Sequence, residues 1–264
     1  MHHWLRWLQG AVLLAVVAGG AGGAAALAQP LPAVASGRIE RLANLASAFV
    51  APRHVDVWLP EGYDAGTRAG QRFNVLCLHD GQMLFDPAST WNRQAWQVDA
   101  TLARLLREGR IAPTLVVAIW NQPDQRYAEY YPEKFLALAA EPARAEYIAR
   151  AQHGRPRADA YLRFLVEELK PAIDRRYATH PGPEGTFVMG ASMGGLISVY
   201  ALCEYPQVFG GAAGDDDPTL GPRQRDALRA NRAEIESEAD AVGMRWYAVT
   251  AVPEAADCVI ELAA

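Results

Sequence analysis

The chain has 264 residues, 51% of them hydrophobic and 21% charged, with a formal net charge of −5. That is the composition of a soluble globular protein, long enough to bury one large core and giving no sign of a second domain. It has no basic run or patch, which argues against nucleic acid as a partner.

The first feature in chain order is an export signal. The segment opens with Arg6 and no acid, continues through a short apolar core at Ala11–Ala18, and reaches the small-x-small site Ala26-Leu27-Ala28. The alternative is an uncleaved anchor helix. The glycines at 19, 20, 22 and 23 weaken it, because spanning needs about 20 firmly apolar residues. The expected organisation is a signal peptide over 1–28 and a single domain over 29–264. After cleavage the protein should be periplasmic or extracellular, without stable membrane association.

Arg53–Pro60 alternates, with Val55, Val57 and Leu59 apolar, and reads as a half-buried strand. Three runs, 73–80, 114–121 and 186–192, are almost continuously apolar, as in parallel strands covered on both faces. Between them Val98, Leu102, Leu105 and Leu106 mark one helix that Gly109 can end. Leu162, Leu165, Val166, Leu169 and Ile173 mark another, with Pro171 as a candidate kink. The segment 126–154 is less regular and reads equally as a lid or substrate wall and as a solvated connection. Strand and helix alternation gives an α/β fold, a mostly parallel sheet with helices on both faces. Cys77 and Cys203 lie in apolar runs and read as small buried hydrophobes, while Cys258 makes the number odd. No spacing of Cys or His suits a metal, and no cofactor is expected.

Gly190-Ala-Ser-Met-Gly194 carries the chemistry. An apolar strand leads in, a helix from Met193 to about Glu204 leads out, and small residues at 190, 191, 194 and 195 permit a tight turn. Such a turn presents the Ser192 hydroxyl at the C-terminal edge of the sheet, where the N–H groups of a starting helix favour negative charge. The stretch His79 to Asp86 follows another strand, and Gly81 lets its loop approach closely. A hairpin turn at Asp80-Gly81 is the bland reading. The segment Trp91–Trp96 and the helix after it argue against that.

These stretches, with "VDVWLPEGYD", "LVVAIWN", "YLRFLVEELKPAIDRRY" and "GASMGGLISVYALCEYPQVFGGAA", resemble the "putative esterase" family of α/β hydrolases. Esterase D, enterochelin esterases, feruloyl esterases and mycolyltransferases belong to it. The resemblance runs from about Arg53 to Ala213. It implies an α/β-hydrolase fold and hydrolysis of a small-molecule carboxylic ester through an acyl-enzyme on Ser192. It also implies an oxyanion hole made by the backbone N–H groups of Gln82 and Met193.

The family orders its triad serine, acid, histidine. Here His2, His3, His54, His79, His153 and His180 all precede Ser192. His79 is the one geometric candidate for a base, since its strand ends on the Ser192 edge, although shaping the oxyanion loop suits it better. The tail after Ala213 departs from the family inside an apolar strand. It offers a helix near Leu228, Ile235 and Val242, a strand-like 245–252, and the acids Asp240, Glu254 and Asp257. Three readings follow: an impaired serine esterase, a non-catalytic binding protein on a hydrolase fold, or a truncated or frame-shifted esterase product.

Overall fold

The apolar runs at 73–80, 114–121 and 186–192 form the centre of a sheet in the computed structural model of the protein, which describes residues 29–213. The expected signal peptide 1–28, Cys258, and the helix, strand and acids expected in the tail lie outside the described residues. One compact unit begins at Leu31. Its elements begin with β1 (Arg38–Leu45), β2 (Arg53–Leu59), α1 (Tyr63–Arg68), β3 (Asn74–Leu78) and α2 (Val98–Arg107). Next come β4 (Thr114–Ile119), α3 (Arg126–Tyr130), α4 (Glu133–Leu136), α5 (Ala143–Ala151) and α6 (Ala158–Arg163). The last are α7 (Lys170–Arg176), β5 (Thr186–Met189), α8 (Met193–Glu204) and β6 (Gly211–Ala213).

Among the described residues the sheet has six strands in the order β1-β2-β4-β3-β5-β6. The four strands β4, β3, β5 and β6 run parallel, while β2 is antiparallel to both β1 and β4. In the centre Cys77 stands opposite Val117 on one side and Val188 on the other. Side chains alternate across a sheet, so each apolar run supplies both faces. Val75, Cys77, Leu115, Val117 and Val188 pack with Leu162, Leu165, Ile173, Leu196 and Ile197. Leu76, Leu78, Val116 and Ala118 pack on the opposite face with Val98, Leu102 and Leu105 of α2. That double coverage is why the runs show no polar alternation.

Three expectations change. Pro171 does not break its helix: α6 passes into a widened π-helical turn at Phe164–Leu169 and then into α7. Proline has no N–H for the carbonyl four residues back and crowds it, and the wider register accommodates both defects. The segment 126–154 is not a solvated connection, because Ala128, Glu129, Tyr130, Phe135 and Leu136 are buried, whereas α5 buries no residue. Cys77 is buried, its thiol pushed up to about 12 by that burial, whereas Cys203 is only half-buried. Among the described residues no helix is long and apolar enough to cross a membrane.

The N-terminal strand β1 has no counterpart in the expected elements. Its residues are half-buried or exposed, and it is held by pairing with β2 and by Arg41, whose Nε and Nη2 donate to Asp56 at 2.6 and 2.7 Å. Ahead of it the chain forms a strap. The Ala33 N–H donates to Asp86 at 2.9 Å, the Ala35 N–H to buried Asp99 at 2.5 Å, and the Trp58 indole to the Ser36 carbonyl at 2.7 Å.

Candidate active site

At the end of β5 the chain must reverse into α8 within three residues. Ser192 absorbs the turn at φ 54, ψ −122, a conformation that costs a non-glycine residue roughly 1–3 kcal/mol and persists only where its surroundings enforce it. The enforcement is visible. Gly190 lies so close to the first turn of α8 that a Cβ there would stand 2.6 Å from the Gly194 carbonyl carbon. The Gly194 N–H donates to the Ala191 carbonyl at 2.8 Å, the Leu196 N–H to that of Ser192 at 3.0 Å, and the Ser198 hydroxyl to that of Gly194 at 2.7 Å. Ser192 itself is half-exposed, at the C-terminal edge of the parallel strands.

The loop after β3 packs against this elbow. The His79 N–H donates to the Met189 carbonyl at 3.0 Å, and a Cβ on Gly194 would lie 3.3 Å from both the Asp80 carboxylate and the His79 Cβ. Asp80 adopts a left-handed conformation, φ 56, ψ 44, and a helical turn follows at Gly81–Met83. Gly81 is required by close approach, since a Cβ would sit 2.6 Å from the Ala118 carbonyl carbon of β4. Gln82 is half-buried on that turn and Met193 is buried as the first residue of α8. The first N–H groups of such turns have no carbonyl of their own helix to bond, so they can serve an external oxygen.

His79 is fully buried. Its Nδ1 shares a 2.8 Å hydrogen bond with the Tyr161 hydroxyl, its ring lies against Tyr130 and Tyr161, and its Nε2 finds no partner among the described residues. Burial pushes the imidazole down to about 4, and Arg126 and Arg53 add to the effect against the pull of Asp80. A neutral ring committed to a tyrosine shapes the loop from behind.

The other described histidines are elsewhere. His54 does lie on the Ser192 edge, because β2 runs antiparallel to β4 and the Trp120 N–H donates to the His54 carbonyl at 3.1 Å. The strand order nevertheless puts it three strand spacings from β5, about 14 Å. His153 is exposed after α5, and His180 is at the starting edge of β3 and β5, where its N–H donates to Phe73.

Sequence reasoning passed over the groups around Asp80. The Asp80 carboxylate, almost wholly buried, accepts Arg126 Nε on Oδ1 and Nη2 on Oδ2, both at 2.8 Å, and Asn121 Nδ2 on Oδ1 at 2.5 Å. Burial opposes the Arg126 charge, but the bonds and charge of Asp80 outweigh it, so the guanidinium holds its proton more firmly than usual. Deeper in, Arg53 and Glu129 form a two-pronged ion pair at 2.7 and 2.8 Å with both side chains fully buried.

A strained serine between a parallel strand and a helix, on a mostly parallel sheet covered on both faces, defines the α/β-hydrolase class. Residues 46–215 match the family described as "Putative esterase", and the chain belongs to that family. It is 24% identical over 158 residues to the Uncharacterized protein YbbA of Bacillus subtilis (strain 168), covering 60% of this chain and 54% of the relative. It is 25% identical over 162 residues to an endo-1,4-beta-xylanase/feruloyl esterase of Xylanibacter ruminicola, covering 59% of this chain and 18% of that one. The chain spans about half the length of the first two curated relatives, 54% and 51%. Among solved structures, the enterochelin esterase of Shigella flexneri matches with a TM-score of 0.53 at 15% identity, over 83% of this chain and 54% of that one. A ferulic acid esterase of Anaeromyces mucronatus in complex with ferulic acid matches with a TM-score of 0.50 at 16% identity, over 85% and 87%. At such identities the likeness is one of fold.

Proposed function

We propose that this polypeptide is an exported serine ester hydrolase that acts on a small-molecule carboxylic ester through Ser192, and that it turns over slowly. The observation that carries the reading is the strained backbone of Ser192 directly ahead of α8. The Ser192 hydroxyl gives its proton to solvent water as its oxygen adds to the ester carbonyl carbon, and the negative oxygen so formed accepts hydrogen bonds from the Gln82 and Met193 N–H groups. Collapse breaks the ester C–O bond, the departing alkoxide takes a proton from solvent to leave as the alcohol, and acyl-Ser192 remains. Water then adds to the acyl carbon, the carboxylic acid departs and the serine hydroxyl is restored.

Slow turnover follows from the base. Residues 193–264 contain no histidine, and His79 is buried, neutral and bonded to Tyr161. Removing the base of such a triad costs about a millionfold, while the oxyanion hole alone retains about a thousandfold over water. An activated ester needs little proton help at its leaving group, so a small rate survives. Export rests on the Arg6, Ala11–Ala18 and Ala26-Leu27-Ala28 layout. One structural relative is a ferulic acid esterase in complex with ferulic acid, which makes methyl ferulate the first unactivated ester to try.

The same lack of a following histidine favours a second reading, a site that binds a small ester without converting it. Turnover of p-nitrophenyl acetate by the purified protein and by Ser192→Ala separates the two. The esterase reading expects a slow rate abolished by the substitution. Equal rates in both proteins support the binding protein instead.

A further inference from the structure

We propose that Arg126 and Asn121 are positioning residues that lock the loop Asp80–Gln82 in the geometry an oxyanion donor needs; the inference rests on the reading that the Gln82 N–H faces the reacting carbonyl. Asp80 in the left-handed region is a strained start for this loop, and an aspartate leaves that region readily unless its side chain is held. Here it is held from two elements that lie 41 and 46 residues further along the chain. Arg126, at the start of α3, spans both carboxylate oxygens, and bidentate pairing of this kind fixes direction as well as distance. Asn121, just after β4, adds its Nδ2 to Oδ1.

Asn121 also reaches past Asp80. Its backbone N–H donates to the Gln82 side-chain Oε1 at 3.2 Å, so one residue grips positions 80 and 82 and bridges Gly81 between them. Gly81 is in turn pressed on the Ala118–Ile119 backbone, and the Gln82 carbonyl accepts the Ser89 hydroxyl at 2.8 Å. The Met83 N–H closes the turn on the Asp80 carbonyl at 2.8 Å. The plane of the Gly81–Gln82 peptide, and with it the direction of the Gln82 N–H, is therefore set by contacts to β4 and α3. The assembly stands against the elbow, the Asp80 carboxylate being 3.3 Å from where a Gly194 Cβ would lie. Arg126 is partly exposed and stacks on Tyr130, so its removal opens no large cavity.

The expected effect falls on the transition state, where a misaimed donor costs most, and leaves ground-state binding alone. The test compares wild type, Arg126→Ala, Arg126→Lys, Asn121→Ala and Ser192→Ala. Amide hydrogen exchange of residues 80–83 is read against that of 75–78, and p-nitrophenyl acetate kinetics are split into kcat and KM. Exchange at 80–83 should quicken roughly tenfold or more in Arg126→Ala and Asn121→Ala with 75–78 unchanged. In both variants kcat should fall by about 10- to 100-fold with KM within about twofold, and lysine at 126 should restore part of the loss. Unchanged exchange at 80–83, or unchanged kcat in both variants, overturns the proposal. If Arg126→Ala does not fold, Asn121→Ala and Arg126→Lys decide by the same readings. A wild-type rate indifferent to Ser192→Ala would defeat the esterase reading, and exchange would still report whether the clamp holds the loop.

Discussion

Gly190→Ala should be far more damaging than Gly194→Ala, although both alter one motif by one methyl group. Gly190 has no positive φ, so the backbone conformation is open to alanine and only space decides. The new Cβ would stand 2.6 Å from the Gly194 carbonyl carbon and 2.8 Å from its Cα and oxygen. Carbon atoms settle near 3.5–4.0 Å, so the first turn of α8 must retreat by about 1 Å. All three atoms are backbone, held by the Ala191–Gly194 and Gly194–Ser198 bonds, so no side chain can rotate away. Overpacking of this kind costs typically about 1–3 kcal/mol, and a rigid obstacle puts Gly190→Ala near the top of that range. At Gly194 the new methyl meets Asp80 Oδ2 and the His79 Cβ at 3.3 Å, a few tenths of an ångström too close. Alanine in a helix recovers up to about 1 kcal/mol over glycine, so the net change there should stay within about 1 kcal/mol. Urea denaturation followed by circular dichroism measures both variants. At roughly 2–4 °C per kcal/mol for a domain of this size, Gly190→Ala should melt about 6–12 °C below wild type. A Gly190→Ala protein as stable as wild type, or less harmed than Gly194→Ala, would refute the packing argument.

Three further outcomes are expected. The folded state holds His79 neutral down to about 4, whereas the unfolded chain takes up its proton near 6.5, the ordinary value of a histidine. Its stabilising share is thus complete above pH 6.5 and lost as pH falls toward 4, about 2 kcal/mol by pH 5. Urea titrations at pH 7.5 and 5 should show that loss in wild type and not in His79→Gln; equal pH dependence would contradict it. Glu129→Ala leaves the Arg53 guanidinium buried and unpaired, which should cost about 3–5 kcal/mol in the same assay, and a change under 1 kcal/mol would be the contrary result. N-terminal sequencing of protein from an exporting host should start at or near Gln29, just ahead of the strap at Ala33–Ser36, while Met1 retained in a membrane fraction would speak against export.

The centre of the fold was legible because buried parallel strands need apolar residues on both faces, and 73–80, 114–121 and 186–192 supply them without interruption. The elbow was legible for a related reason: small residues cluster at 190, 191, 194 and 195, and at 190 the close approach of α8 requires one. The strand β1 was not, since an edge strand is held by backbone pairing and its half-exposed residues carry no period. Nor was the true place of His54, which depends on β2 running against β4. The Asp80 clamp was hidden differently. Asn121 and Arg126 are ordinary polar residues after a strand, and only the parallel pairing of β3 with β4 brings them to the loop.

The central claim is that Ser192 accepts an acyl group. Intact-mass spectrometry after mixing with p-nitrophenyl acetate tests it most directly, because the proposed slow turnover would hold up deacylation and let the intermediate accumulate. One acetyl group per chain, mapped by peptide digestion to Ser192 and missing from Ser192→Ala, is the predicted result. No adduct, or an adduct that persists in Ser192→Ala, would contradict the account.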